Sequence, residues 1–232
     1  MNIDTTHELL LLLAVAVVAA PLLAAGAVAI GISRASPRTP AAVGLVVSLL
    51  ASVVIGWVWN SGDGAAFEFG ERLGGGSFLH LDGITAAIVP TVALVELAVL
   101  LVAPKRFLDG PATVRFLATA GGTFALFLTA HPLLLVALWI ATALPTWISA
   151  RGTPGGRPTA RVFATAMVVS LLCVAVGTVL MLLDPPWEKG VGMLGNAGGW
   201  LVAVAVLIRD GIVPFHSWYP AVFSGAPMSM AI

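Results

Sequence analysis

A succession of apolar stretches, each near the length of a membrane-crossing helix and set apart by short charged or Gly/Pro-rich joints, constrains this chain more than any other feature. The hydrocarbon core of a bilayer is about 30 Å thick, and an α-helix needs roughly 20 apolar residues to cross it. Stretches of about that size occupy residues 9–32, 41–59, 84–103, 115–129, 133–149 and 162–183, and another starts near 199. The pattern predicts an all-α polytopic membrane protein of about seven transmembrane helices. Only 9% of the residues are charged, against about 25% in a soluble domain. Most of the surface is therefore expected to face lipid. The balanced net charge gives no reason to expect a nucleic-acid partner.

The first stretch follows Asp4 and Glu8 rather than a basic segment, so it reads as a retained helix and not as a cleaved signal peptide. Basic residues alternate between the joints. Arg34, Arg38, Lys105, Arg106, Arg115, Arg151, Arg157 and Arg161 follow the odd-numbered stretches, whereas only Arg72 and Lys189 follow the even ones. This bias predicts a cell-membrane protein with its N-terminus outside. The joint after the second stretch, holding Asp63, Glu68 and Glu71, reads as a Gly-rich acidic loop. The lone Cys173 excludes a disulfide within the chain, and its apolar setting reads as packing. No Cys or His spacing suits zinc, haem or an iron–sulfur cluster, so neither a cofactor nor a metal is expected. Gly74, Gly75 and Gly76 lack the Lys-Ser/Thr that a phosphate-binding loop requires. Gly26, Gly44 and Gly177, within the stretches, read as helix-packing positions.

Ionisable groups inside a span cost roughly 2.5–3.5 kcal/mol each on insertion scales and so call for a reason. Glu96 lies past the middle of the third stretch, Arg209 and Asp210 interrupt the seventh, and His216 follows Pro214. Pro214 is expected to break the seventh helix, because proline removes one backbone donor and crowds the carbonyl four residues earlier. Arg209, Asp210 and His216 around such a break are expected to form a hydrated polar chain, with histidine able to relay protons near neutral pH. The plainer alternative has Arg209 and Asp210 neutralise each other while His216 only bridges helices.

The string Arg209-Asp210-Gly211-Ile212-Val213-Pro214-Phe215-His216-Ser217-Trp218-Tyr219-Pro220 resembles the seventh span of the antiporter-like membrane subunits. These include the large proton-channel subunits of respiratory complex I and their relatives in hydrogenases, multisubunit sodium/proton antiporters and inorganic carbon uptake. Leu81-Asp82-Gly83-Ile84 is similar to the opening of the family's third span, and His131-Pro132-Leu133-Leu134-Leu135 with Trp139 to the start of its fifth. Gly225-Ala226-Pro227 with Ser229 resembles the start of the eighth. The resemblance implies a subunit of a proton-translocating complex of NADH:quinone oxidoreductase type, with lipid and other membrane subunits as partners. Any dehydrogenase chemistry would belong to the assembly. A cation/proton antiporter or proton-driven inorganic carbon transporter, and a non-conducting scaffold, stand as alternatives. On this reading residues 1–110 form a three-span segment, and residues 111–232 an incomplete repeat of spans four to seven and the start of an eighth.

Two positions depart from the family pattern. An acidic residue is expected after the tryptophan of the fifth span and a lysine before the proline of the seventh, but Ile140 and Arg209 stand there. Isoleucine cannot ionise, and a guanidinium does not readily lose its proton. A lysine–glutamate switch therefore cannot operate with these two residues. Glu96 or Asp210 is the candidate replacement carboxylate, with Arg209 as a fixed counter-charge.

Overall fold

Backbone polar groups find no partner in lipid, so an apolar run in a bilayer can persist only as a helix or a closed barrel. In the computed structural model, which describes residues 3–32, 36–61, 67–69, 77–104, 108–152, 156–184, 192–212 and 218, the apolar runs are helices. They are α1 (Ile3–Ala29), α2 (Arg38–Ser61), α3 (Gly83–Val102), α4 (Gly110–Leu128), α5 (Pro132–Arg151), α6 (Arg157–Leu183) and α7 (Met193–Arg209). The first six are long and apolar enough to cross a membrane. The seventh has 17 residues, about 26 Å of helix, which is short of the hydrocarbon thickness.

Helices α4, α6 and α7 start five or six residues before their apolar runs, because local caps rather than hydropathy set their first turns. Asp109 accepts the Ala112 N–H at 2.7 Å, and Pro111 sits where a missing donor costs nothing, so α4 begins at Gly110. Pro158 does the same for α6. For α7 the cap comes from the end of the preceding helix, where Asp184 Oδ2 accepts from the N–H groups of Leu194 (3.1 Å) and Gly195 (3.3 Å). The acidic joint, expected as a loop, contains a small antiparallel hairpin. In it β1 (Phe67–Phe69) pairs with β2 (Leu79–Leu81), with Glu68 opposite His80.

Residues 1–145 and 146–231 form two compact units. The boundary falls at Pro145, inside α5. In the first unit α1 packs on α2 and α4, and α2 packs on α3. Leu45, Leu100, Leu117 and Phe124 are fully buried there. Gly44 makes the α1–α2 crossing close, since a Cβ on it would lie 2.8 Å from that of Ala24. Gly26 faces open space and plays no such part.

Proline within a helix deprives the carbonyl four residues earlier of its donor. In α1 the proline is Pro21, so the deprived carbonyl is that of Val17. The Ser48 hydroxyl of α2 donates to this carbonyl at 2.8 Å, with both Ser48 and Pro21 fully buried. In α3 Pro90 leaves the Ala86 carbonyl without its donor, and α2 presents Gly56 there, where a Cβ would sit 3.1 Å from the oxygen. Arg38 answers the exposed end of α3, donating to the carbonyls of Leu100 (2.6 Å) and Leu101. A cation at a helix C-terminus is also favoured by the helix dipole.

The second unit is built on the antiparallel pair α6 and α7. Gly177 and Gly198 face each other, and a Cβ on either would come within 2.7 Å of the other's carbonyl oxygen. Ser170 donates to the Ala205 carbonyl at 2.7 Å.

The Ser48–Val17 bond is expected to matter only because Pro21 exists. Ser48→Ala should cost about 1 kcal/mol in detergent unfolding of the full chain. In a Pro21→Ala background, where the new backbone N–H restores the bond to Val17, the same change should cost close to nothing. Equal costs in the two backgrounds would show that Ser48 does not serve the carbonyl freed by Pro21.

Candidate functional site

The charged residues at the end of α7 owe their position to the register of the α6–α7 pair. Gly177 lies against Gly198, and Ser170 against Ala205. Continuing that register puts Arg209 level with Ala166, roughly nine residues or about 14 Å into α6 from its first turn. Arg209 is therefore inside the span of α6 but in its outer part, and an arginine stem can carry its head from there toward the nearer membrane surface.

Gly211 closes the described helix. At φ +63° it holds a left-handed conformation that a Cβ would penalise. The Gly211 N–H donates to the Ile208 carbonyl (3.3 Å) and that of Ile212 to the Leu207 carbonyl (2.9 Å), the paired bonds of a Schellman ending. Gly31 closes α1 in the same way at φ +78°. Asp210 is the C-cap, exposed, and its carboxylate and the half-buried Arg209 attract one another. Pro214 and His216 lie outside the described residues.

Trp218 is held against the same helix end. Its indole Nε1 donates to the Ile208 carbonyl at 2.7 Å, and its ring meets Phe163 of α6 edge-on at 5.5 Å. The tryptophan of the Pro-Phe-His-Ser-Trp string thus serves the structure of the helix end.

Glu96 belongs to the first unit. It lies one turn from Ala93 and from Leu100, both buried, and two turns from buried Val89, so it falls on the inward stripe of α3. The side chain is half-buried, and no described residue gives it a hydrogen bond or an ion pair. Ile140, in α5, is 43% exposed.

At the other end of α3, Asp82 caps the helix through Oδ1, which accepts the Thr85 N–H and hydroxyl, each at 2.7 Å. His80 stands between two carboxylates, 3.6 Å from Glu68 and 3.7 Å from Asp82. His131 is buried, stacks on Phe78 with ring centroids 4.7 Å apart, and its Nδ1 accepts the Leu134 N–H at the start of α5. Among the described residues no group of three or more His, Cys, Asp or Glu could hold a metal ion. Sequence reasoning singled out Asp82 and His131 but not their capping roles. It did not find Ser48, Asp184 or the Gly211 ending, although glycine three residues before a proline is a recognisable helix stop.

Compared with known proteins, the chain matches no family model and no curated protein.

Burial pushes the Asp82 carboxyl up, but hydrogen bonds from Thr85, the charge of nearby His80 and the Ile84 N–H together hold it below its ordinary value. A carboxylate with a depressed pKa adds stability that is complete above its unfolded value, about 3.9, and is lost as pH falls through the folded value. The melting-temperature gap between the parent and Asp82→Ala should therefore be constant above about pH 5 and narrow under stronger acid. A gap that widens on acidification would contradict the capping role.

Proposed function

We propose that the chain belongs to an antiporter-like membrane subunit that contributes to proton transport within a multisubunit complex of NADH:quinone oxidoreductase type. It lies in a cell membrane with the N-terminus outside, and α7 belongs to the seventh span. One observation carries the reading: a charged pair, Arg209 and Asp210, ends an apolar helix of 17 residues, at the short limit for crossing a bilayer. Discontinuous helices with charged or carbonyl-rich ends are a recurrent way to build ion paths at membrane depth. The Pro-Phe-His-Ser-Trp resemblance at the same break supports it.

Within this reading Arg209 is a fixed charge and the proton rides on carboxylates. Arginine stays protonated under physiological conditions, so its role is to hold Asp210 and to set the local potential. Asp210 is exposed at the helix end, where water can deliver or receive a proton. Glu96, lacking any described partner on the inward stripe of α3, is the second carboxylate available to accept one.

A non-conducting scaffold is the second reading, and Ile140 favours it. A side chain 43% exposed on α5 that cannot ionise suits a face meeting lipid or a neighbouring subunit. Proton uptake into inverted membrane vesicles containing the whole complex separates the two. Asp210→Asn and Glu96→Gln should each slow uptake by at least about 10-fold, while Arg209→Lys should preserve uptake but make it fall at high pH. If uptake is unchanged in both carboxylate variants, this chain does not conduct and the scaffold reading stands.

A further inference from the structure

The arginines of the joint between α5 and α6 do more than mark the inner side of a membrane. Arg157 and Arg161 are one turn apart on α6 and share a face. Together with Arg151 and Trp147 at the end of α5, and Ala160 and Ala164, they line a cavity of about 480 Å³. The Arg151 guanidinium lies 5.3 Å from the centroid of the Trp147 ring, a cation–π distance that holds its charge at the cavity wall. The two alanines leave the space open.

Three like charges on one cavity repel each other, and like charges one turn apart on a helix are destabilising. Yet none of the three arginines forms an ion pair with a described carboxylate. The first turn of α6 adds to the imbalance, because its N-cap is Gly156, which has no side chain to accept the open N–H groups. The cavity is thus a cationic site in need of an anion with several acceptor oxygens. Guanidinium groups match the oxygens of a phosphate in paired, planar contacts.

We propose that this cavity binds the phosphate headgroup of an anionic phospholipid. Its position selects a lipid over a soluble phosphate. The cavity lies where the apolar surfaces of α5 and α6 give way to the joint, flanked by exposed Ile148 and Val162 on which acyl chains can rest. Trp147 is of the residue type that settles at the headgroup level. Basic pockets between membrane helices on the cytoplasmic side are a known means of holding such headgroups.

Native mass spectrometry of the full detergent-purified chain, titrated with phosphatidylglycerol or with zwitterionic phosphatidylcholine, tests this. The parent should retain phosphatidylglycerol in preference to phosphatidylcholine. Combined replacement of Arg151, Arg157 and Arg161 by Gln should weaken phosphatidylglycerol binding about 100-fold. Replacing the same three residues by Lys should weaken it less, which separates loss of charge from loss of the planar fork and guards against misfolding. Arg34, Lys105 and Arg106 replaced by Gln, an equal loss of charge elsewhere, should leave it unchanged. Equal binding by the parent and the Arg-to-Gln protein, or equal loss in the control, would overturn the site. Displacement of the lipid by millimolar inorganic phosphate would instead assign it to a soluble anion.

Discussion

The structure rests on one constraint: a bilayer supplies no hydrogen-bond partner, so every interruption of a helix has to be answered by the protein. Pro21 frees the Val17 carbonyl, and Ser48 reaches across from α2 to donate to it. Pro90 frees the Ala86 carbonyl, and α2 has glycine at the point of closest approach. The helix ends follow the same logic. Arg38 serves the last carbonyls of α3, Asp184 serves the first N–H groups of α7, and Trp218 serves a carbonyl at its last turn. The hydrogen bonds among these contacts each join one segment to another, so satisfying the backbone also fixes the packing partner. Small residues at the crossings, above all the facing Gly177 and Gly198, let helices approach closely enough for such contacts to form.

That economy makes the exceptions informative. Glu96 turns toward the interior of the first unit with no described partner, and Arg209 and Asp210 crowd the end of the shortest apolar helix. Carboxylates and a guanidinium in such positions cost free energy that packing alone does not explain. An arginine at this helix end limits what the site can do. It supplies a permanent positive charge that steers and stabilises anionic states of its neighbour, but it does not alternate between charged and neutral forms. The glycine ending of α7 is the local feature that sets both charges at the helix terminus instead of along its wall.

The apolar runs are plain in the sequence because lipid imposes one simple rule on them, and all but the last are matched by helices of spanning length. Helix starts are less legible. Asp109, Pro158 and Asp184 begin helices in polar joints where hydropathy gives no signal, and Asp184 acts from 10 residues away. The strands Phe-Glu-Phe and Leu-His-Leu do alternate, but three residues each is too little to outweigh the Gly-rich context. Gly44 and Gly177 pack as their positions in apolar runs suggest, whereas Gly26 does not, since small size permits a crossing without specifying one. For the site, Glu96, Arg209 and Asp210 are visible because charge in an apolar run is conspicuous. Ser48 and Trp218 are not, because their partners are set by tertiary structure.

Water access to the end of α7 is decisive for a charged, interrupted helix. With Cys173 replaced by Ser, Asp210→Cys and Ala203→Cys are each labelled in vesicles of known orientation with a membrane-impermeant maleimide. The cysteine at 210 should react, and only from the side carrying Arg151, Arg157 and Arg161, while the one at 203, about 10 Å deeper along the helix, should stay unlabelled. An unreactive cysteine at 210, or one labelled only from the opposite side, would contradict a hydrated charge at the interrupted end of this helix.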